Sequence, residues 1–420
     1  MMMKTIMYKL RVSYLVFAAG LILISSCNKD LEQFAPIATP VYPTGNGIAA
    51  TLAANPNYSN YAALIARGGM TATLNDLTKS FTIFATDSNG MKIFVNAASG
   101  GLVPINAPNS VVLGFINTSL PVASAAGIVQ YNTIGQKFPF SSFGTAFPNY
   151  PITSLIILDP NQPFVRMPIF PDGGTPYSYV NNLPVIATDM PAANGIIHTA
   201  FTIAAPPTAT LKTMIAAEPT LSYFRAAVAR ADSGSVGLSR FDSLMNYGVT
   251  NMTVLAPNDV AFQTLVFGLV YAQVFAATGN AALALASANG AVAAGPAFLS
   301  TNNVSTALMR GIVAYHLLAS LTTSTTTPYQ PNIRVFSNNV PAGAATFIKT
   351  LVNGSIAAHP GVSAQATFAG PAVTSLVFRG YGTFPPGGAP YSGTPVNAIT
   401  RDKHAVNGVY HILDNVLLPQ

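Results

Sequence analysis

Five histidines and one cysteine are the residues of this chain best suited to chemistry. His316 follows Tyr315 inside the apolar run Ile312 to Leu318. A ring there reads first as a buried group tied to backbone, because buried polar groups are satisfied whether or not they act. His198 and His411 sit at matching places in two similar stretches, which predicts one shared structural role. Alternation along a strand puts His411 on the face of Val409 and Leu413, toward a core. Asp402, His404 and His411 lie close together but lack the spacing of a metal site. His359, beside Pro360, reads as isolated in an exposed turn. No metal and no other cofactor is expected. Ser233-Gly234-Ser235-Val236-Gly237 lacks the first glycine of a nucleophile elbow and follows a helical pattern rather than a strand. Gly380-Tyr381-Gly382-Thr383-Phe384-Pro385 has proline where a dinucleotide fingerprint needs its third glycine. Paired carboxylates in a usable context are not visible. The chain is therefore not read as an enzyme, with a hydrolase assembled from distant residues as the weak alternative.

Cys27 has its own context. Lys4, Lys9 and Arg11 form a basic start, Tyr14 to Ile24 is a short apolar stretch, and Ile24-Ser25-Ser26 lead into Cys27. This is the three-part pattern of an export signal, whose small residues fit a signal peptidase. The apolar stretch is shorter than the roughly 20 residues of a membrane span. The pattern resembles a lipobox, in which a diacylglyceryl group is attached to the cysteine thiol before cleavage. A single cysteine has no partner for an internal disulfide. Residues 1–26 are read as a lipoprotein signal peptide and 27–45, with three prolines, as a lipidated tether. The alternative is an ordinary signal peptide with a chance cysteine nearby. Met1, Met2, Met3 and Met7 are all candidate starts.

The elements that must position these residues come from composition and repetition. Three of the 19 basic residues lie in the signal, leaving 16 against 13 acidic ones, a net of +3. No Lys/Arg run exists, so no nucleic-acid partner is expected. Charged residues are 8% and hydrophobic ones 50%, the reverse of a disordered chain. Three pairs of segments recur in the same order. Ala54-Asn55-Pro56-Asn57-Tyr58-Ser59 matches Ala217-Glu218-Pro219-Thr220-Leu221-Ser222, each leading into an Ala-rich helical pattern. Phe81 to Asp87 matches Met252 to Asp259, a short buried strand followed by a helix start. Pro257 stops ladder pairing, Asn258 or Asp259 caps a helix from Val260, and Asp87 or Ser88 does so in the first copy. Asn194-Gly195-Ile196-Ile197-His198 matches Asn407-Gly408-Val409-Tyr410-His411, a tight turn entering a strand. The last strand is expected from Val409 to Leu418.

Two copies of one domain follow, 46–207 and 208–420, joined at Pro206-Pro207. The second carries an insertion at about 263–303, inside a stretch from Ala261 to Met309 without any charge. Gln263, Gln273, Asn280, Ser287 and Asn289 break it too often for a membrane span. It reads as an apolar helix and then an Ala/Gly-rich segment, a candidate partner surface.

The ordered motifs resemble the fasciclin, or FAS1, domain. Thr253 to Phe262, with Pro257, Asn258 and Asp259, matches that family's strand and helix start. Tyr315-His316 matches its Tyr-His pair, and Asn407-Gly408 with His411 matches its closing strand. The first copy is more divergent. There Thr86-Asp87-Ser88 replaces the Pro-containing motif, Gly90 stands for Ala, and the Tyr-His position falls at Phe115-Ile116. Arg334 to Ser337 and Ala366 to Pro371 look like segments of Bacteroidota lipoproteins. The resemblance implies an α+β fold, each domain a compact β-wedge with packed helices. It implies adhesion or matrix-type binding, with Tyr315-His316 as a ligand-contact pair in the functional reading. The expected function is lipid-anchored binding of a protein or glycan at the cell surface. The alternative is a structural or accessory component of an outer-membrane assembly or glycan-uptake system. Asn28 argues against inner-membrane retention, and Lys29-Asp30 resembles the start of a surface-exported tether. Periplasmic and surface display both stay open.

Overall fold

The computed structural model describes residues 41–144, 151–174, 176–300, 304–318, 333–383 and 387–420. The expected signal peptide, Cys27 and most of the expected tether lie outside the described residues. What is described contains two mixed sheets, each with its own helices, and so two tandem α+β domains.

The first sheet runs β4-β3-β2-β1-β8-β7-β6-β5. Its strands are β1 (Phe81–Thr86), β2 (Thr133–Ile134), β3 (Ile152–Ile157), β4 (Arg166–Ile169), β5 (Pro171–Asp172), β6 (Ser178–Val180), β7 (Leu183–Ala192) and β8 (Gly195–Ala200). The second runs β10-β9-β15-β14-β13-β12-β11. Its strands are β9 (Met252–Pro257), β10 (Leu317–Leu318), β11 (Thr346–Ile348), β12 (Val362–Ala369), β13 (Ala372–Arg379), β14 (Val396–Ala405) and β15 (Gly408–Leu413). The middle of each sheet is the same. β1 lies parallel to β8 with Phe84 opposite His198, and β9 lies parallel to β15 with Leu255 opposite His411.

These central strands are buried on both faces, so they are mostly apolar rather than alternating, with a threonine or histidine buried among them. Ile83 and Ala85 face the helical core of the first domain, while Phe84 faces its outer strands. Val254 and Ala256 face the helices of the second, and Leu255 faces β11 to β14. Val409 and Leu413 share the outer-strand face, whereas Tyr410 and Ile412 meet the helices. Pro257 is still paired, at the last position of β9, where its missing N–H costs no further ladder bond.

Two expectations need correction. β15 ends at Leu413, not Leu418. Asp414 turns the chain by accepting from Asn397 N–H at 2.7 Å, and Asn415 caps Val416. The helix after β9 starts at Asp259, and Asn258 alone caps it, accepting from Ala261 N–H at 2.8 Å. In the first domain Asp87 caps Ser88–Ala98 through Gly90 N–H.

The extra length of the second domain is helical. Asp259–Thr278 continues for 20 residues where its counterpart Ser88–Ala98 has 11. Gly279, at φ 64°, closes it, and Asn280 caps the returning helix Ala281–Ala293. Phe262, Leu265 and Val266 anchor the base in the core, and Ala284, Ala288 and Ala291 let the two helices approach. Phe267, Tyr271 and Phe275 stack along one face with ring centroids 6.1 and 5.9 Å apart. The helix Asp259–Thr278 is long and apolar enough to cross a membrane, with a mean hydropathy of 1.7.

Candidate functional site

The recurring motif residues come together in each domain as one buried polar frame. Asn194 Oδ1 accepts from Ile48 N–H, and its Nδ2 donates to the carbonyls of Leu74 and Asp76. Asn407 does the same with Leu211 N–H and the carbonyls of Met245 and Tyr247. One side chain thus pins the first helix and the strand-entry loop to the start of the central strand. The glycine beside it must be glycine. A Cβ on Gly195 would lie 2.1 Å from Phe81 O, and one on Gly408 would lie 2.3 Å from Met252 O.

The two strand histidines are equally alike. His198 Nε2 meets Phe138 O at 3.1 Å and its Nδ1 accepts from Asp189 N–H at 3.2 Å. His411 Nε2 meets Val335 O at 2.9 Å and its Nδ1 accepts from Asp402 N–H at 3.3 Å. Both aspartates take a left-handed backbone, φ 61° and 60°, at the point where the neighbouring strand changes register. Thr253 closes the frame by donating to Ile333 O and accepting from Val335 N–H, as Thr82 does with Gln136 and Phe138. Burial holds both histidines below the ordinary imidazole pKa, so both are neutral at pH 7.

Tyr315-His316 caps the helix Thr306–Tyr315. His316 Nδ1 meets Ile312 O at 2.8 Å and its Nε2 accepts from Leu417 N–H at 3.0 Å. Complete burial pushes its pKa down to about 4. Tyr315 Oη donates to Gly361 O and accepts from Tyr381 N–H. The counterpart in the first domain is not Phe115-Ile116 but Tyr131-Asn132. Phe84 N–H donates to Asn132 O as Leu255 N–H donates to His316 O, and Asn132 Nδ2 reaches Ile128 O and Ala204 O. The tyrosine is retained, and asparagine takes the place of histidine. Phe262 is core, packed near Phe224. Asp259 does not cap; its carboxylate accepts from Tyr223 N–H and Ser222 Oγ. His359 is not exposed. It is buried against Tyr315 and Tyr381, with Nε2 2.7 Å from Pro419 O. Gly90 also has a reason: a Cβ there would strike Thr86 Oγ1 and Phe201 O.

Sequence reasoning missed the joint between the domains. Arg334 is the largest fully buried side chain there. Its Nε donates to Asn251 Oδ1 and one Nη donates to His404 Nε2, both at 2.8 Å, while the other reaches Val406 O. Its guanidinium lies 4.7 Å over the ring of Phe170 from the first domain. Phe170 also packs with Phe336 and Val409, and Asn338 and Asn339 donate to Asn181 O and Asp172 Oδ2 across the joint. Burial lowers the Arg334 pKa to about 10, and burial together with Arg334 holds His404 neutral. The matching backbone position in the first domain is Lys137, which is exposed. The signal was a lone arginine in an apolar segment, without any hint of its neighbours.

No group of three His, Cys, Asp or Glu able to hold a metal occurs among the described residues. No protein-family model and no curated protein matches the chain. Its fold is similar to the solved structure of a FAS1 domain pair from the insect cell adhesion molecule fasciclin I. The sequences are 14% identical, the match covers 86% of this chain and 96% of that one, and the TM-score is 0.33.

Proposed function

We propose that this is a lipid-anchored cell-envelope protein whose two FAS1-type domains bind a protein or glycan at the cell surface. The observation that carries the reading is the duplicated frame. Asn194 and Asn407, His198 and His411, and Thr82 and Thr253 make the same bonds in both domains, all directed inward at backbone. Residues engaged in this way support a scaffold, and the work of such a scaffold falls to its surface. Tyr315-His316 belongs to the same scaffold, so a ligand-contact role for that pair is not part of the proposal. The lipobox-like Cys27 supplies the anchor, the outer membrane the location, and residues 27–45 the tether.

Protease shaving of intact cells tests display. The protein is expected to be cleaved from whole cells and lost with their attachment to a ligand-bearing surface; full protection in intact cells, with cleavage only after lysis, sinks the adhesion reading. One observation favours the accessory role instead. The hairpin 259–293, uncharged beyond Asp259, leaves Val260, Phe275, Leu283 and Leu285 exposed, as suits packing against another envelope component. Cross-linking that captures one stoichiometric membrane partner through the hairpin would favour that role.

A further inference from the structure

The internal repeat separates what the fold needs from what it does not. Ile48 to Arg67 and Leu211 to Arg230 run in register, and Ile48 and Leu211 both donate to the pinning asparagine. Arg67 and Arg230 both donate from Nε to a carbonyl, Leu120 O and Val304 O, at 2.9 Å. Those arginines are shared and structural. Three other cations of the second domain have no counterpart. Lys212, Arg225 and Arg240 stand where the first domain carries Ala49, Ala62 and Gly69.

All three line a single cavity of about 300 Å³ together with the Asp242 carboxylate, with Ile215, Val228 and Met245 as its apolar floor. In a chain with only 8% charged residues, three cations meet at one cavity of the second domain and are unmatched in the first. Lys212 Nζ is paired with Asp242 at 2.7 Å. Arg240 Nε lies 4.0 Å from Asp232, whose carboxylate is already engaged by Phe241 N–H and Asp242 N–H. Arg225 uses Nη1 to hold the carbonyls of Ile215 and Glu218. Its Nη2 makes no hydrogen bond to the described residues. Two guanidinium groups therefore have donor capacity to spare beside an apolar floor.

We propose that this cavity is a binding site for a carboxylated sugar, a hexuronate whose carboxylate meets Arg225 and Arg240. Planar guanidinium donors match a carboxylate two bonds at a time. A pyranose ring offers a C–H face to Ile215, Val228 and Met245, the mix of apolar lining and few convergent polar groups typical of small-ligand sites. The proposal rests on the reading of this chain as a binding protein and names the ligand class.

Titration calorimetry of the mature protein with glucuronate tests it, with glucose, inorganic phosphate and a short glutamate peptide as comparators. Arg240→Glu is the main variant, because that side chain is half exposed and makes no hydrogen bond the fold requires. Arg225→Lys keeps the charge and removes the fork. Glucuronate is expected to saturate one site and glucose to give no heat. Arg240→Glu is expected to weaken binding at least about tenfold, the size of one charge-assisted contact, with the folded circular dichroism spectrum retained. No saturation by glucuronate, equal binding of glucose, equally tight phosphate or peptide, or an Arg240→Glu variant with wild-type affinity each overturns the site. If Arg240→Glu cells still attach like wild type, this site fails while the binding reading stands. Failure of wild-type cells to attach to any glycan or protein surface fails that reading.

Discussion

At the scale of single residues, the chain depends on a few side chains that each satisfy several buried backbone groups. Replacing Asn407 with Ala strands one N–H and two carbonyls, and should cost roughly 3 kcal/mol in urea unfolding. Gly408→Ala and Gly195→Ala should each cost about 2–3 kcal/mol, since the new Cβ meets a backbone oxygen that cannot yield. The buried histidines make stability depend on pH. His316 is near 4 in the folded protein against 6.5 for a free imidazole, so the unfolded chain binds more protons between those values. Stability is complete above about pH 6.5 and falls as the pH drops toward 4, with His316 alone contributing roughly 3 kcal/mol. A series of denaturant midpoints from pH 7 to pH 4 checks this. In the His316→Asn variant, which copies Asn132 of the first domain, the slope should be shallower.

At the scale of elements, the strands and their entries were legible in the sequence because their residues are local signals. The β-branched run Phe81–Thr86 and its twin Met252–Pro257 fill central strands, and both Asn-Gly pairs open strands. Tyr131-Asn132 was hidden because the expected histidine is an asparagine, which supplies the same bond to the helix carbonyl from a different atom. His359 was misplaced because burial by Tyr315, Tyr381 and the chain end involves residues up to 60 positions away. The projecting hairpin was legible as an uncharged apolar insertion, but not as two antiparallel helices. Only its base enters the core. Replacing 272–290 with a short Gly/Ser turn should therefore keep the near-UV circular dichroism of the domain while lowering binding of an apolar dye. Loss of the folded signal would show that the hairpin is integral to the core.

At the scale of the whole molecule, two similar domains are joined asymmetrically. The backbone position that is exposed at Lys137 in the first domain is Arg334 in the second, buried under Phe170. Truncation by Arg334→Ala leaves Asn251 Oδ1, His404 Nε2 and Val406 O without their donor. It should turn a single calorimetric transition into two, with each domain still folded. The same asymmetry puts the hairpin and the cation-lined cavity on the second domain only, while Cys27 precedes the first. In the proposed reading, a lipid at Cys27 would give that order its meaning, with a tether, a supporting domain and then the domain that carries the unshared surface. Membrane fractionation of cells expressing Cys27→Ala, beside wild type labelled with a fatty acid, tests this most directly. The wild-type protein should carry the label and sediment with membranes, and the variant should be unlabelled and either released or stalled as a precursor. A variant that is cleaved normally and remains in the membrane fraction would contradict the account.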